Sequence, residues 1–297
     1  MKKLFKKIIE ADQHLIGINE RNLEYVYKYN PRKYFPLAND KVLSKSILHE
    51  NAVPTPETYA VVNELWEIEA ILKDISSLNE IVIKPANGSG GGGILILFKR
   101  EDKQWYTPSG EKYDDEKLKY HIASVLYGVY SIGDKDKAII EYCLKPHIFL
   151  TNIYDKGIPD FRIIVLKGKP LMAMLRVPTK KSGGKANLHQ GALGVGIDME
   201  DGVLLNGFYK NKYTDKHPDS GYKFAGNEIP FWQKILAISI DTAKFFPLEY
   251  LGIDIILDAL LGPVVIEINA RPGLQIQNIN SMGLKKAINQ KFRDSND

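Results

Sequence analysis

The 297-residue chain predicts an α+β fold on three observations. Apolar, strand-like runs come in pairs around tight turns, as in 161–166 and 170–177 across Lys167-Gly168-Lys169. Amphipathic helical patterns are scattered among these pairs. Strands and helices do not alternate strictly, so a parallel sheet built from crossover units is not indicated.

The elements follow in order. Residues 1 to 40 combine a basic segment with a Tyr- and Pro-rich stretch, YVYKYNPRKYFPL. Leu4, Phe5, Ile8 and Ile9 have helical spacing, which favours a packed terminal helix over a membrane-surface or partner-binding one. Asp40 is placed to cap a helix through Lys41, Leu43, Ile47 and Leu48, which stops before Pro54 and Pro56. A short strand at 59–62 and a helix at 65–72 come next. The stretch IVIKPANGSGGGGILIL then places glycine at five of the six positions 88–93, between two apolar runs. It reads as a hairpin with a loose tip, the plain alternative being a flexible surface turn. A helical pattern at 118–129 leads to a strand at 138–142, and the hairpin at 161–177 follows. Residues 178–196 are polar and glycine-rich, without clear periodicity. Residues 231–246 read as an amphipathic helix, and strands at 251–257 and 264–268 close the chain across Leu261-Gly262-Pro263.

The length suits one large unit or two medium ones, and the expected division is 1–40, 41–142 and 143–297. With 44% apolar and 26% charged residues the composition is that of an ordinary globular protein. The single cysteine, Cys143, excludes an internal disulfide framework and suits a reducing, cytoplasmic compartment. No apolar run reaches the roughly 18 residues of a membrane span, and Lys6, Lys7, Glu10 and Asp12 interrupt any signal-peptide core. The net charge of +4, without basic runs interleaved with aromatics, argues against nucleic acid and only weakly favours an anionic substrate.

The last hairpin, GIDIILDALLGPVVIEINARPG, carries the most chemical information. Alternation along a strand lets Glu267 and Asn269 project from the same face, while Asp254 sits on the preceding strand. Two carboxylates and an amide oxygen are hard ligands suited to Mg²⁺. A purely structural account must explain Glu267 inside the apolar run VVIEI, where an unpaired charge is expensive. The glycine run is not a Walker A loop, because Lys84 precedes the glycines. Glycine-rich backbone amides still fold over polyphosphate, with Lys84 adding a compact positive charge.

Taken together, Asp40-Lys41, Lys84 ahead of the glycines and the terminal D…ExN set resemble the ATP-grasp superfamily. The stretches DFRIIVLKGKPLMAMLRV, ANLHQGA and GIDIILDALLGPVVIEINARPG are similar to RimK-type glutamate ligases and α-L-glutamate-ligase-like proteins, over about residues 38–280. The resemblance implies an ATP-grasp fold of two α+β subdomains gripping ATP. It implies that Lys41 and Lys84 contact the phosphates, and that the backbone of Glu141, Tyr142, Cys143 and Leu144 holds adenine. Gly88, Ser89, Gly90, Gly91 and Gly92, on to Gly93, become a lid. Asp254, Glu267 and Asn269 become ligands for two Mg²⁺ ions, with Mn²⁺ as a substitute. Arg176 matches the arginine that steadies the transferred phosphoryl group, and Asp160, Arg162 and Asn187 fall on the nucleotide or substrate side. His189, also in the N-x-H segment, reads as a structural histidine.

Three departures stand out. Arg271 replaces a small residue in NARPG and adds charge to the acceptor side, Gly191-Ala192 replaces a double glycine, and the region ahead of Lys41 is short for the family's N-terminal domain. The implied activity joins a carboxylate, such as that of an amino acid, to an amine on a peptide, protein or small acceptor, through an acyl phosphate. A small-molecule kinase and a non-catalytic nucleotide-binding module are the competing classes. The oligomeric state, including a homo-oligomer, is left open.

Overall fold

A computed structural model describes residues 14–88, 90–131 and 133–293. The N-terminal apolar positions Leu4 to Ile9 and the lid residue Ser89 therefore lie outside the described residues. The chain forms two compact units. The first takes in the residues up to Asn39, Ile47–Pro54 and the chain from Pro146 onward; the second takes in Asp40–Ser46 and Thr55–Lys145.

The second unit is built on a six-stranded antiparallel sheet, in the order β1-β6-β2-β3-β4-β5. Its strands are β1 (Thr58–Val62), β2 (Glu80–Pro85), β3 (Leu95–Lys99), β4 (Trp105–Tyr106), β5 (Lys112–Tyr113) and β6 (Ala138–Glu141). Alternation along β2 sends Ile81 and Ile83 into a core with Leu97, Ile122 and Ile140, while Val82 and Lys84 share the other face. The helix Asp115–Leu126 covers this core with Leu118, Ile122, Val125 and Leu126. Asp114 caps it, its carboxylate accepting from the Lys117 backbone N–H at 2.9 Å.

The first unit has a seven-stranded antiparallel sheet, in the order β11-β10-β9-β8-β7-β12-β13. Its strands are β7 (Asp160–Leu166), β8 (Lys169–Val177), β9 (Leu193–Ile197), β10 (Leu204–Tyr209), β11 (Lys212–Thr214), β12 (Tyr250–Asp258) and β13 (Gly262–Asn269). All nine residues of β12 are buried, as expected of a strand hydrogen-bonded on both sides and covered on its faces. The helix Trp232–Lys244 packs on β7, β8, β12 and β13 through Trp232, Ile235 and Ile238.

The residues ahead of Asp40 belong to this first unit. Asn30 is fully buried; its amide donates to the carbonyls of Tyr250 and Ala270 at 2.6 and 2.9 Å, and its oxygen accepts from the Tyr250 N–H at 3.0 Å. Gln277 closes a similar pair of hydrogen bonds with the backbone of Ile16.

Strand β9 falls inside the segment that lacks periodicity. Its alternate residues are Gly194 and Gly196, so half of the apolar pattern is missing. A side chain at Gly194 would meet Ile279 at 2.3 Å, so glycine is what lets the helix Gln275–Ile279 lie against the strand.

Candidate functional site

In the second unit the helix Lys41–Glu50 begins at Asp40, whose carboxylate accepts from the N–H groups of Val42 and Leu43 at 2.8 and 3.2 Å. Lys41 and Lys45 are one turn apart and share a face of that helix. The Lys41 ammonium donates to the Gly88 carbonyl at 2.8 Å, at the start of the glycine run. Lys45 reaches Glu141 at the end of β6, 2.5 Å from Oε2. Lys84 reaches the same carboxylate from β2, 2.5 Å from Oε1. This follows from register: Val82 lies opposite Glu141, and Lys84 is two residues further along the same face.

One buried carboxylate thus meets two ammonium groups. Their side chains are only 9% (Lys84), 5% (Glu141) and 11% (Lys45) exposed, and together they carry one surplus positive charge. Burial alone would raise Glu141, but Lys84 and Lys45 overcome it and hold the carboxyl below the usual range. Burial lowers Lys45, with Glu141 partly restoring it.

The glycine run is tied at both ends. Asn87 donates to Asp136 through its backbone N–H at 3.1 Å and its side-chain amide at 2.9 Å. At the other end Gly93 has φ +73°, its carbonyl pairs with Nε2 of His121 at 3.1 Å, and a side chain there would meet the Tyr130 ring at 2.6 Å. Beyond Glu141 the Tyr142 N–H donates to the Glu57 carbonyl at 2.9 Å, and Tyr142, Cys143 and Leu144 are half-buried.

In the first unit the register of four strands gathers the other expected residues. Asp254 on β12 lies directly opposite Glu267 on β13 and Arg162 on β7. Asp160 on β7 lies opposite Arg176 on β8, and Gly252 opposite Asn269. Opposed residues of an antiparallel pair share a face, as do residues two apart, so Asp160, Arg162, Arg176, Asp254, Glu267 and Asn269 all project from one face. Arg162 grips Asp254 with two hydrogen bonds, Nε to Oδ1 at 2.7 Å and Nη2 to Oδ2 at 2.5 Å. Arg176 grips Asp160 in the same way, at 2.5 and 2.6 Å, and adds a bond from Nη2 to Asp254 Oδ2 at 2.7 Å. Both aspartates are buried.

The two carboxylates are pushed apart. Burial drives Asp160 up to about 6 against the pull of Arg176, with the Asp254 charge adding to the rise. Burial would also raise Asp254, but Arg162 and Arg176 together hold it below the usual range. Arg176 is held firmly charged: its burial is outweighed by Asp160 and Asp254.

Glu267 is half-buried beside Asp254, and Asn269 turns its amide nitrogen to the Gly252 carbonyl at 3.4 Å. Among the described residues no three His, Cys, Asp or Glu side chains are grouped to hold a metal by themselves. Asp254, Glu267 and Asn269 present oxygen donors of the type a hard cation takes, but too few to complete its shell. Both oxygens of Asp254 already accept from Arg162 and Arg176, so a Mg²⁺ ion held here would draw the rest of its shell from a bound ligand and water.

Two expected residues stand apart from this cluster. Asn187 caps a short turn, its side-chain oxygen accepting from the His189 N–H at 2.9 Å. Arg271 is exposed, its guanidinium lying 4.8 Å from the centre of the Phe35 ring. Lys45, and the side chain rather than the backbone of Glu141, join the site only through the structure. The four-residue step from Lys41 to Lys45 was the available signal.

No curated protein matches this chain. Among solved structures, biotin carboxylase from Campylobacter jejuni matches with a TM-score of 0.53 at 13% identity, over 85% of this chain and 46% of that one. D-alanine–D-alanine ligase from Bacillus anthracis matches with a TM-score of 0.46 at 17% identity, over 86% and 63%. The ATP-grasp ligase PsnB, complexed with a minimal precursor, matches with a TM-score of 0.49 at 14% identity, over 91% and 63%. The chain therefore spans less than two thirds of the length of each of these proteins, and at such identities the likeness to biotin carboxylase concerns the fold alone. The fold is that of ATP-grasp proteins, two antiparallel sheets with helices. The family model described as sugar-transfer associated ATP-grasp matches residues 20–292, and the chain belongs to that family.

Proposed function

We propose that this protein is an ATP-dependent carboxylate–amine ligase of RimK-like type, joining an amino acid such as glutamate to a peptide, protein or small-molecule amine. Membership of an ATP-grasp family supports this reading. The observation that carries it is the placement of Asp254 opposite Glu267, with the Arg176 guanidinium 2.7 Å from Asp254, on one sheet face. Metal-binding oxygens beside a firmly charged arginine are what phosphoryl transfer requires, since that chemistry rests on positioning and charge neutralisation.

The roles follow from charge and position. Lys41 and Lys84 hold the nucleotide phosphates, the backbone of Glu141 to Leu144 takes adenine, and the glycine run from Gly88 closes to exclude water. Asp254, Glu267 and Asn269 would hold two Mg²⁺ ions, which would neutralise phosphate charge, with Mn²⁺ as a substitute. Arg162 and Asp160 fix the geometry around Asp254 and Arg176, Asn187 belongs to the nucleotide side, and Arg271 adds catalytic charge on the acceptor side. Arg176 stabilises the γ-phosphoryl group as it moves to a carboxylate oxygen, giving ADP and an acyl phosphate. The amine nitrogen then attacks the acyl carbon, the bond from that carbon to the phosphate oxygen breaks, and phosphate leaves. The biotin carboxylase structure is a β,γ-ATP complex, which supports ATP as the nucleotide.

The reading is tested by incubation with ATP, Mg²⁺ and pools of amino acids and peptides, following phosphate release and product mass. Acceptor-dependent phosphate release with a new amide is expected, and Glu267→Ala abolishes it with the fold retained. A stable phosphorylated product without an amide would reassign the chain as a kinase.

A further inference from the structure

The buried lysine–glutamate–lysine cluster holds a group to which no role has been given. Lys45 is not needed to neutralise Glu141, because Lys84 already pairs with that carboxylate at 2.5 Å. A second ammonium at 2.5 Å turns a balanced buried pair into one with surplus positive charge. Such a charge is costly away from water unless an anion shares the site. The position of Lys45 adds to this cost. It lies one turn after Lys41 near the N-terminus of the helix Lys41–Glu50, where the positive end of the helix dipole disfavours cations. Lys41 sits on the same helix face, and its ammonium is held at the Gly88 carbonyl. The nearby pair of Asp40 with Lys137, at 3.4 Å, is balanced and does not remove the surplus.

We propose that Lys45 sets specificity for the phosphorylated form of the nucleotide: by taking one oxygen of Glu141 it leaves the Lys84 charge available to the phosphates. This rests on the reading of the second unit as the phosphate site. Without Lys45, Glu141 turns wholly to Lys84 and neutralises it, so the attraction for phosphate falls while the contacts to the base are untouched. A merely structural lysine, tying its helix to β6, would act differently: its loss would weaken every ligand alike and lower the melting temperature.

The test measures binding of adenosine, AMP, ADP and ATP to wild type, Lys45→Met and Lys45→Arg with excess Mg²⁺. Expected for Lys45→Met is a loss of roughly tenfold for ADP and ATP, the scale of one charge-assisted hydrogen bond. The same series should show a smaller loss for AMP, no change for adenosine, and an unliganded melting temperature that does not fall. Lys45→Arg keeps the preference for phosphate. Wild-type affinities for ADP and ATP in Lys45→Met, or an equal loss for adenosine and ATP, overturn the proposal while leaving the nucleotide site standing. Absence of nucleotide binding by wild type overturns both. Should Lys45→Met not fold, Lys45→Gln carries the same series.

Discussion

Arg162 and Arg176 divide the work of holding Asp254, and their removal has separable effects. Arg162→Met leaves the buried carboxylate with only the single bond from Arg176, and is expected to destabilise the protein by about 3 kcal/mol in chemical denaturation, the usual cost of breaking a buried pair. Asn30→Ala removes three hydrogen bonds from fully buried backbone groups of Tyr250 and Ala270, and the same measurement should show a loss of about 3 kcal/mol. His217 is a third residue with a distinct signature. It is buried, its Nδ1 accepts from the N–H groups of Asp219 and Ser220 at 3.2 and 3.1 Å, and its Nε2 lies 2.8 Å from the Pro178 carbonyl. That pattern needs the neutral ring, and burial lowers its pKa. A depressed histidine binds fewer protons folded than unfolded, so its stabilisation is lost as pH falls below about 6.5. His121 acts with the same sign, and Asp160, raised to about 6, acts with the opposite one. The His217 contribution is therefore the difference between two melting curves: His217→Asn should lose stability less steeply than wild type from pH 7 to 5.5.

At the scale of elements, the closing hairpin and the glycine run were the most legible parts of the chain, for opposite reasons. In β12 and β13 the apolar runs are unbroken enough that Asp254 and Glu267 stand out as charges needing an explanation. In 88–93 the near absence of side chains is itself the signal. What could not be read is pairing between distant strands. The bond from Arg162 to Asp254 joins residues 92 apart, and no local pattern announces that register. Strand β9 is hidden in the sequence because Gly194 and Gly196 erase its alternation, and β11 has only three residues, too few for a pattern. A lysine on an amphipathic helix ordinarily reads as solvated, and only Glu141, on another element, makes Lys45 informative. The end of the glycine run gives an element-level prediction. Gly93→Ala forces φ +73° on a residue with a side chain and pushes against Tyr130, so it should destabilise by about 1–2 kcal/mol and speed amide exchange across 88–93.

For the molecule as a whole, each unit has its own sheet, its own apolar core and its own charged cluster. The second unit's cluster carries surplus positive charge around Glu141, and the first unit's cluster alternates acidic and basic groups around Asp254. The first arrangement suits an anion, and the second suits a hard cation beside a migrating phosphoryl group. Among the described residues no helix is long and apolar enough to cross a membrane. The measurement that bears most directly on the proposed ligase is phosphate release and product mass from ATP, Mg²⁺ and amino-acid and peptide pools, run in parallel for wild type and a folded Glu267→Ala variant. The account predicts one phosphate released for each amide formed by wild type, and neither product from the variant. Undiminished ATP turnover by the Glu267→Ala protein would contradict it.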